Sequence, residues 1–266
     1  MRWEEMTAPE IDALDRDRTV VLLPLGSVEQ HGHHMAVGTD TMLAHAVAVA
    51  AVGRVTRRAV VLPPLWYGLS PHHTRFAGTV TLSAEVMLRL AEEIVASVVA
   101  QGFTRVLIVN GHGGNRGVID VLATTLGQRH YGRARIAALT YFQLAGDEIA
   151  ELRESRPGGM GHACEFETAM MMHLRRDLVR PDRAVTHYPD PGSAYLSTDL
   201  LAASKVRTYL DFKDLSPSGT LGDPSLATPE KGARFFTVVA GALTRFIEDF
   251  ARWPISGTGE APAQST

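Results

Sequence analysis

The sequence predicts an α/β fold of three layers, with helices on both faces of a mostly parallel sheet. Three observations carry that expectation. Continuous apolar runs suit strands buried on both faces, helical apolar patterns lie between them, and polar, glycine-rich segments follow two of the runs directly.

The run Thr19-Val20-Val21-Leu22-Leu23-Pro24-Leu25 ends at Gly26-Ser27 and reads as a central strand. Residues 40–52 read as an Ala-rich helix, and Ala59-Val60-Val61-Leu62 as a short strand stopped by Pro63-Pro64. Ser83 caps the next helix, with Glu85 in its first turn. Val86, Leu90, Ile94 and Val98 are its expected apolar stripe, and Gly102 stands at its end. Residues 105–109 form the next strand. They lead into Asn110-Gly111-His112-Gly113-Gly114-Asn115 and a helix reaching to near His130, and residues 136–141 are a further strand. This alternation implies right-handed crossovers. Residues 1–253 are expected to form one domain, and 254–266, rich in Gly, Pro, Ser and Thr, a disordered tail.

Composition excludes several classes. Of 266 residues 45% are apolar, as in an ordinary packed core, and the net charge is −3. No basic stripe marks a nucleic-acid surface. The polar, acidic N-terminus has no apolar segment of a signal peptide, and no run approaches the ~20 residues that span a bilayer. Cys164 is the single cysteine, which excludes an intrachain disulfide. A cytoplasmic enzyme is expected, with no membrane or nucleic-acid partner.

Ligands in such sheets bind beyond the carboxyl ends of strands. Glu29-Gln30-His31-Gly32-His33-His34 follows the first strand and the 110–115 loop follows another, so both open on one sheet edge. Glu29 and His31 project to one side if the chain is extended. Asp40 starts the next helix, and His112 comes from the second loop. This mixed oxygen and nitrogen set suits Zn, Mn, Fe or Co and is too nitrogen-rich for Ca or Mg. A pair of such ions ~3.5–4 Å apart lowers the pKa of a shared water and polarises the bond under attack. A third segment, Gly161-His162-Ala163-Cys164-Glu165-Phe166-Glu167-Thr168, opens a helix on which His162 and Glu165 are expected to share a face. Glu165 is a candidate ligand, and His162 a proton shuttle or oxyanion holder. Favourable first-turn charge also accounts for Glu165 and Glu167 without chemistry. His33 reads as rim and His34 as a residue orienting a ligand, or both as solvated loop histidines, and His72 and His73 lie in the loop 67–79, which reads as an ordinary exposed loop or as a lid over the site.

Leu23-Pro24-Leu25-Gly26-Ser27-Val28-Glu29-Gln30-His31-Gly32 with Thr39-Asp40, then the 110–115 and 162–168 motifs, together resemble the creatininase (creatinine amidohydrolase) family, as does the opening Trp3-Glu4-Glu5-Met6-Thr7. The resemblance runs to about residue 250. It implies a creatininase-like α/β/α fold, two divalent metal ions per chain (Zn, Mn or Fe), hydrolysis of a C–N bond in a small amide, cyclic or open, and a homohexamer. It assigns Glu29 and His112 to one metal, His31 to the other and Asp40 to the bridge. It makes His162 catalytic and points to Ser70 as a substrate contact, beside His73 and Gly113. Creatininases proper carry an aromatic residue and a Glu where this chain has Gly113 and Gly114. Members with the glycine version are expected to use Glu165 instead, as ligand and acid, and usually have Gly in place of Cys164. Phe142 and Met160 stand near the places of the tryptophans that close over creatinine, so the scaffold carries over and creatinine as substrate does not.

Other bonds are open on the same scaffold: a C–C bond in a cyclic ketone or sugar derivative, a formamide on a pyrimidine nucleotide, or a modified peptide. A phosphate-bearing substrate would want Arg75 or Arg116. A non-enzymatic metal-binding protein stands last among these readings, since open mixed sites usually mark catalysis.

Overall fold

The computed structural model describes residues 1–56, 58–202, 204–255 and 257. The tail expected at 254–266 falls largely outside them. In chain order the elements are α1 (Ala8–Asp12), β1 (Val20–Leu25), α2 (Thr39–Val52), β2 (Ala59–Val61), α3 (Ala84–Ala100), β3 (Arg105–Asn110), α4 (Arg116–Arg129) and β4 (Arg135–Thr140). There follow α5 (Tyr141–Leu144), α6 (Gly146–Leu152), β5 (Met160–His162), α7 (Glu165–Leu174), α8 (Phe212–Leu215), β6 (Leu221–Gly222) and α9 (Pro229–Phe250).

The main sheet has the order β2-β1-β3-β4 and every pairing in it is parallel. β5 and β6 form a separate antiparallel pair. Successive side chains of a strand point to opposite faces, so a sheet covered on both sides needs apolar residues at every position. β1 meets that demand: Val20 and Leu22 enter the core beneath α2, α7 and α9, while Val21, Leu23 and Leu25 enter the one beneath α3 and α4. The three-layer α/β/α arrangement follows. Among the described residues no helix is long and apolar enough to cross a membrane.

Ser83 caps α3 as expected, its side chain accepting from the Val86 amide. The stripe on that helix differs from expectation. Met87, Ala91, Val95 and Val98 are buried, while Val86 and Leu90 are exposed at 52% and 40%. Residues on a helix are ~100° apart, so each four-residue step overshoots a full turn by ~40°. The series 86, 90, 94, 98 therefore starts off the core and reaches it only at Val98, while the buried set starts one residue later and ends with a three-residue step from Val95 to Val98.

Candidate metal centre

The sheet topology sets the carboxyl ends of β1 and β3 side by side, with Leu25 in register with Asn110. Beyond β1 the chain carries Glu29 and His31. Asp40 lies in the first turn of α2, His112 follows β3, His162 ends β5, and Glu167 lies in the first turn of α7. All six side chains are buried. They form overlapping groups whose ligand atoms lie within 4.8 Å of one another: Glu29 with His31 and His162, Glu29 with Asp40 and His112, and His31 with Asp40 and Glu167.

Each of the three histidines has one ring nitrogen against a backbone carbonyl. His31 Nδ1 lies 3.1 Å from Glu29 O, His112 Nε2 lies 3.2 Å from Leu69 O, and His162 Nε2 lies 2.6 Å from Gln30 O. A carbonyl only accepts, so each of those nitrogens carries the proton and the other is bare in the neutral ring. The bare nitrogens face carboxylates. His31 Nε2 is 3.0 Å from Asp40 Oδ1, and His112 Nδ1 is 3.0 Å from Asp40 Oδ2 and 3.2 Å from Glu29 Oε2. His162 Nδ1 is 3.6 Å from Glu29 Oε1. Left bare, lone pair would face lone pair, so each contact needs either a ring proton, which the raised pKa values of His31 and His112 favour in the absence of metal, or a metal ion between the two atoms. Ligands ~2.0–2.1 Å from a tetrahedral ion are spaced ~3.4 Å apart, so a metal ion fits where a proton would otherwise sit. Anchoring of the outer N–H on a carbonyl is how metal-binding histidines are held. Glu29 Oε1 and Asp40 Oδ2 are buried without a hydrogen-bond donor of good geometry, which further suits a cation.

Charge in the cluster agrees. Burial pushes the Glu167 carboxyl up to about 7, His31 pulls it down and Asp40 raises it again. Burial disfavours a charged His31, yet Asp40 outweighs it and raises the ring to about 9. Burial, and then the neighbouring His31, lower His162 to about 3, so that ring is neutral. Three carboxylates sharing one dry space store repulsion that divalent cations relieve.

Several sequence expectations need correction. Glu165 does not reach the cluster. Its Oε1 accepts from the Glu154 amide at 3.0 Å and from Lys231 Nζ at 2.9 Å, and its Oε2 from the Ser155 amide at 2.9 Å. Those bonds leave it no acid or ligand role at the centre. His162 and Glu165 share no helix face, because His162 is in β5, Ala163 turns the chain at φ 50°, and α7 starts only at Glu165. The acid of this segment that does reach the cluster is Glu167, grouped with His31 and Asp40, with the buried Cys164 Sγ 3.9 Å from its Oε2. Gly114 cannot host the missing Glu on this backbone: a Cβ there would come within 3.0 Å of His112 Nε2, Leu69 O and His72 Cε1. Ser70 is fully buried and donates to Glu29 Oε2 at 2.5 Å, so it orients a ligand instead of meeting substrate.

Other expected residues fall close to their places. His33 is exposed at the rim, and His34 Nε2 meets Thr168 Oγ1 at 2.9 Å, beside Glu167. His73 is buried, with Nε2 3.2 Å from Glu29 Oε1. The Gln30 amide is fixed by accepting from the Gly32 N–H, so its Nε2 donates to His73 Nδ1 at 2.9 Å and leaves the His73 proton on Nε2. Gln30 was not singled out in the sequence.

The cluster opens into a cavity of about 510 Å³, a size typical of small-ligand sites. Glu29, Asp40, His73, His112, His162 and Glu167 line its floor, and Gly113 a wall where an added Cβ would meet nothing. Residues from 196–202 and 204–215 supply the opposite wall, including Ser197, Arg207, Tyr209 and Phe212. It has no hydrophobic period that would have drawn attention to it.

Buried carboxylates and imidazoles with bare nitrogens turned inward, at the floor of a cavity on the carboxyl edge of a parallel sheet, define a metal-dependent hydrolase. The family profile described as creatininase, creatinine amidohydrolase, matches residues 4–247. The chain belongs to the creatininase family and is a metal-dependent amidohydrolase of it. It is 34% identical over 238 residues to the mycofactocin precursor peptide peptidase of Mycolicibacterium smegmatis, covering 88% of this chain and 85% of that one. It is 29% identical over 265 residues to the creatinine amidohydrolase of Pseudomonas putida, covering 94% and 95%. A solved structure described as creatininase Mn superposes with a TM-score of 0.78 at 28% identity, over 94% of this chain and 98% of that one.

Proposed function

We propose that the cluster holds two divalent ions (Zn, Mn or Fe) and that the enzyme hydrolyses a C–N bond in an amide or short peptide that fits the cavity. The observation that carries this is the set of histidines with outer N–H groups on carbonyls and bare nitrogens turned to Glu29 and Asp40. Glu29, Asp40 and His112 make one site. His31, Asp40 and Glu167 make the other, and Asp40 is the bridge. Bound ions supply a water acidic enough to attack at neutral pH and polarise the carbonyl. The protein does the rest. His73, neutral because burial lowers its pKa well below the usual value, has an Nε2–H without a well-aligned acceptor and presents it to the substrate oxygen. His162 Nδ1 moves the proton between water and the leaving nitrogen.

The peptide-cleaving relatives favour a linear amide over a cyclic one, and Gly113 leaves open the wall where a longer substrate would extend. Residues 1–253 form the working unit, which we place in the cytoplasm on the strength of the single buried, unbridged Cys164. A homohexamer belongs to the same reading, supported by the exposed apolar Val86, Leu90 and Trp66.

His162→Asn tests the assignment. It is expected to keep full metal content by elemental analysis while kcat falls ~10²–10⁴-fold, the worth of a positioned acid–base group. Unchanged turnover on amide substrates would refute the role, and loss of metal would make His162 a ligand.

Metal uptake is expected to depend on pH. Without metal, His31 keeps its proton up to about 9 and Glu167 up to about 7. Both protons must leave for the metal to bind, so affinity rises as pH increases from 6 to 9 and uptake releases protons. Calorimetry in buffers of different ionisation heats reads the proton count; a count of zero at pH 6.5 contradicts the ligand set.

A further inference from the structure

The wall of the cavity beyond the metal floor is cationic. Arg116, at the start of α4, and Arg207, from the 204–215 segment, both line it. Arg116 is half-buried, with its guanidinium carbon 5.4 Å from the centre of the Phe142 ring. Its Nη2 donates to Leu200 O at 3.4 Å and its Nε is buried without a partner. Burial, and then the charge of Arg207, lower the Arg116 guanidinium below its usual value. The acids nearby leave them uncompensated. Asp120 lines the same cavity without forming an ion pair to either, and Asp199 is held by Arg153 Nη2 at 2.6 Å and the Gly158 amide at 2.7 Å. Arg75, the other candidate in the sequence, is tied to Asp211 and Asp214 on the outside.

Like charges set together in a partly dry wall repel, and donors left without acceptors cost further free energy. A planar anion relieves both, because a guanidinium offers paired donors matched to carboxylate or phosphate oxygens. We infer that Arg116 and Arg207 form an anion-binding subsite, and that the substrate carries a carboxylate or phosphate ester beside the amide that is cut. This rests on the amide-hydrolase reading above. The ring of Phe142 holds one face of Arg116. The subsite acts in binding and specificity, apart from the bond-breaking centre.

The test uses the metal-loaded full-length enzyme and one acetylated dipeptide in three forms: free C-terminal carboxylate, C-terminal phosphoethanolamide and C-terminal carboxamide. Cleavage is followed by chromatography, and binding by calorimetry. The charged forms are expected to exceed the carboxamide ~10–100-fold in kcat/KM, mostly through KM, as a charge-assisted contact allows. Arg116→Ala and Arg207→Ala are each expected to remove most of that preference and to change the carboxamide less than ~3-fold, with Arg116→Lys in between. Arg207 is exposed, so its variant tests the subsite even if Arg116→Ala folds poorly. The tighter of the two charged forms names the anion. A preference under ~3-fold in the parent enzyme, or one that survives both alanine variants because the metals alone create it, overturns the subsite. If no form is cleaved, the amide-hydrolase reading fails, and the order of binding constants still decides the subsite.

Discussion

Asp40→Ala is expected to strip the centre of metal and abolish turnover while leaving the fold intact. Asp40 offers Oδ1 to His31 and Oδ2 to His112, so it is the single side chain joining both halves of the cluster. Loss of a residue that merely orients a ligand costs ~10–100-fold in metal affinity, and removal of a shared ligand must cost more at both sites. Without metal the carboxylate still pairs with His31, whose proton it holds up to about 9, although its removal also lessens the repulsion with Glu29. The metal-free variant is therefore expected to fold but to melt below the metal-free parent at neutral pH. Elemental analysis after dialysis, amide hydrolysis and thermal melting check the three parts. Retention of two ions per chain with full activity would sink the bridging assignment.

The second large effect separates two acids a single residue apart. Glu167→Gln is expected to empty one of the two metal positions and to lower activity by at least ~100-fold, at nearly unchanged stability. Glu165→Gln is expected to do the reverse. It keeps both ions but strands Lys231 Nζ, which is buried and retains only Glu154 Oε1 at 2.9 Å and Leu226 O at 2.7 Å. Breaking a buried pair from one side costs several kcal/mol, and the surviving partners hold the loss to about 2–3 kcal/mol. Denaturant melts beside metal counts on the two variants give a crossed pattern. A parallel loss of metal in both would return the ligand role to Glu165.

That contrast marks where sequence reading stopped. β1 and β3 were legible to within a residue because a strand covered on both faces must be apolar throughout, and few other elements are. Glu29, His31, Asp40 and His112 were legible because they adjoin strand ends and glycines. Glu165 and Glu167 were not separable, since acids in a first helical turn look alike whatever they face. The deciding event is the left-handed Ala163, which ends β5 and resets the phase of α7. Alanine carries no signature of that conformation, which glycine would have advertised. The wall from 196–202 and 204–215 was hidden for a different reason: apart from the single turn of α8 it has no regular structure and so no period to read, and Arg207, Tyr209 and Phe212 stood out only once the chain was folded. The stripe on α3 was read one residue early at its first three positions, because a four-residue spacing fits either phase and only the fold shows which one faces the core.

The seat of α7 has a consequence for how the enzyme comes into being. The helix that bears Glu167 is fastened through Glu165 to Lys231 of α9, and its apolar side packs in one core with Phe235, Val239, Leu243, Ile247 and Phe250. Glu29, His31, Asp40 and His112 are synthesised in the first half of the sequence, yet the helix that brings Glu167 to them gains its support from α9, made more than a hundred residues later. If these residues hold the ions, a nascent chain halted before α9 carries most of the ligands without the geometry to hold an ion tightly. A stop codon anywhere in α9 should then yield protein that is not merely less stable but metal-poor from birth, which elemental analysis of the truncated chain would show.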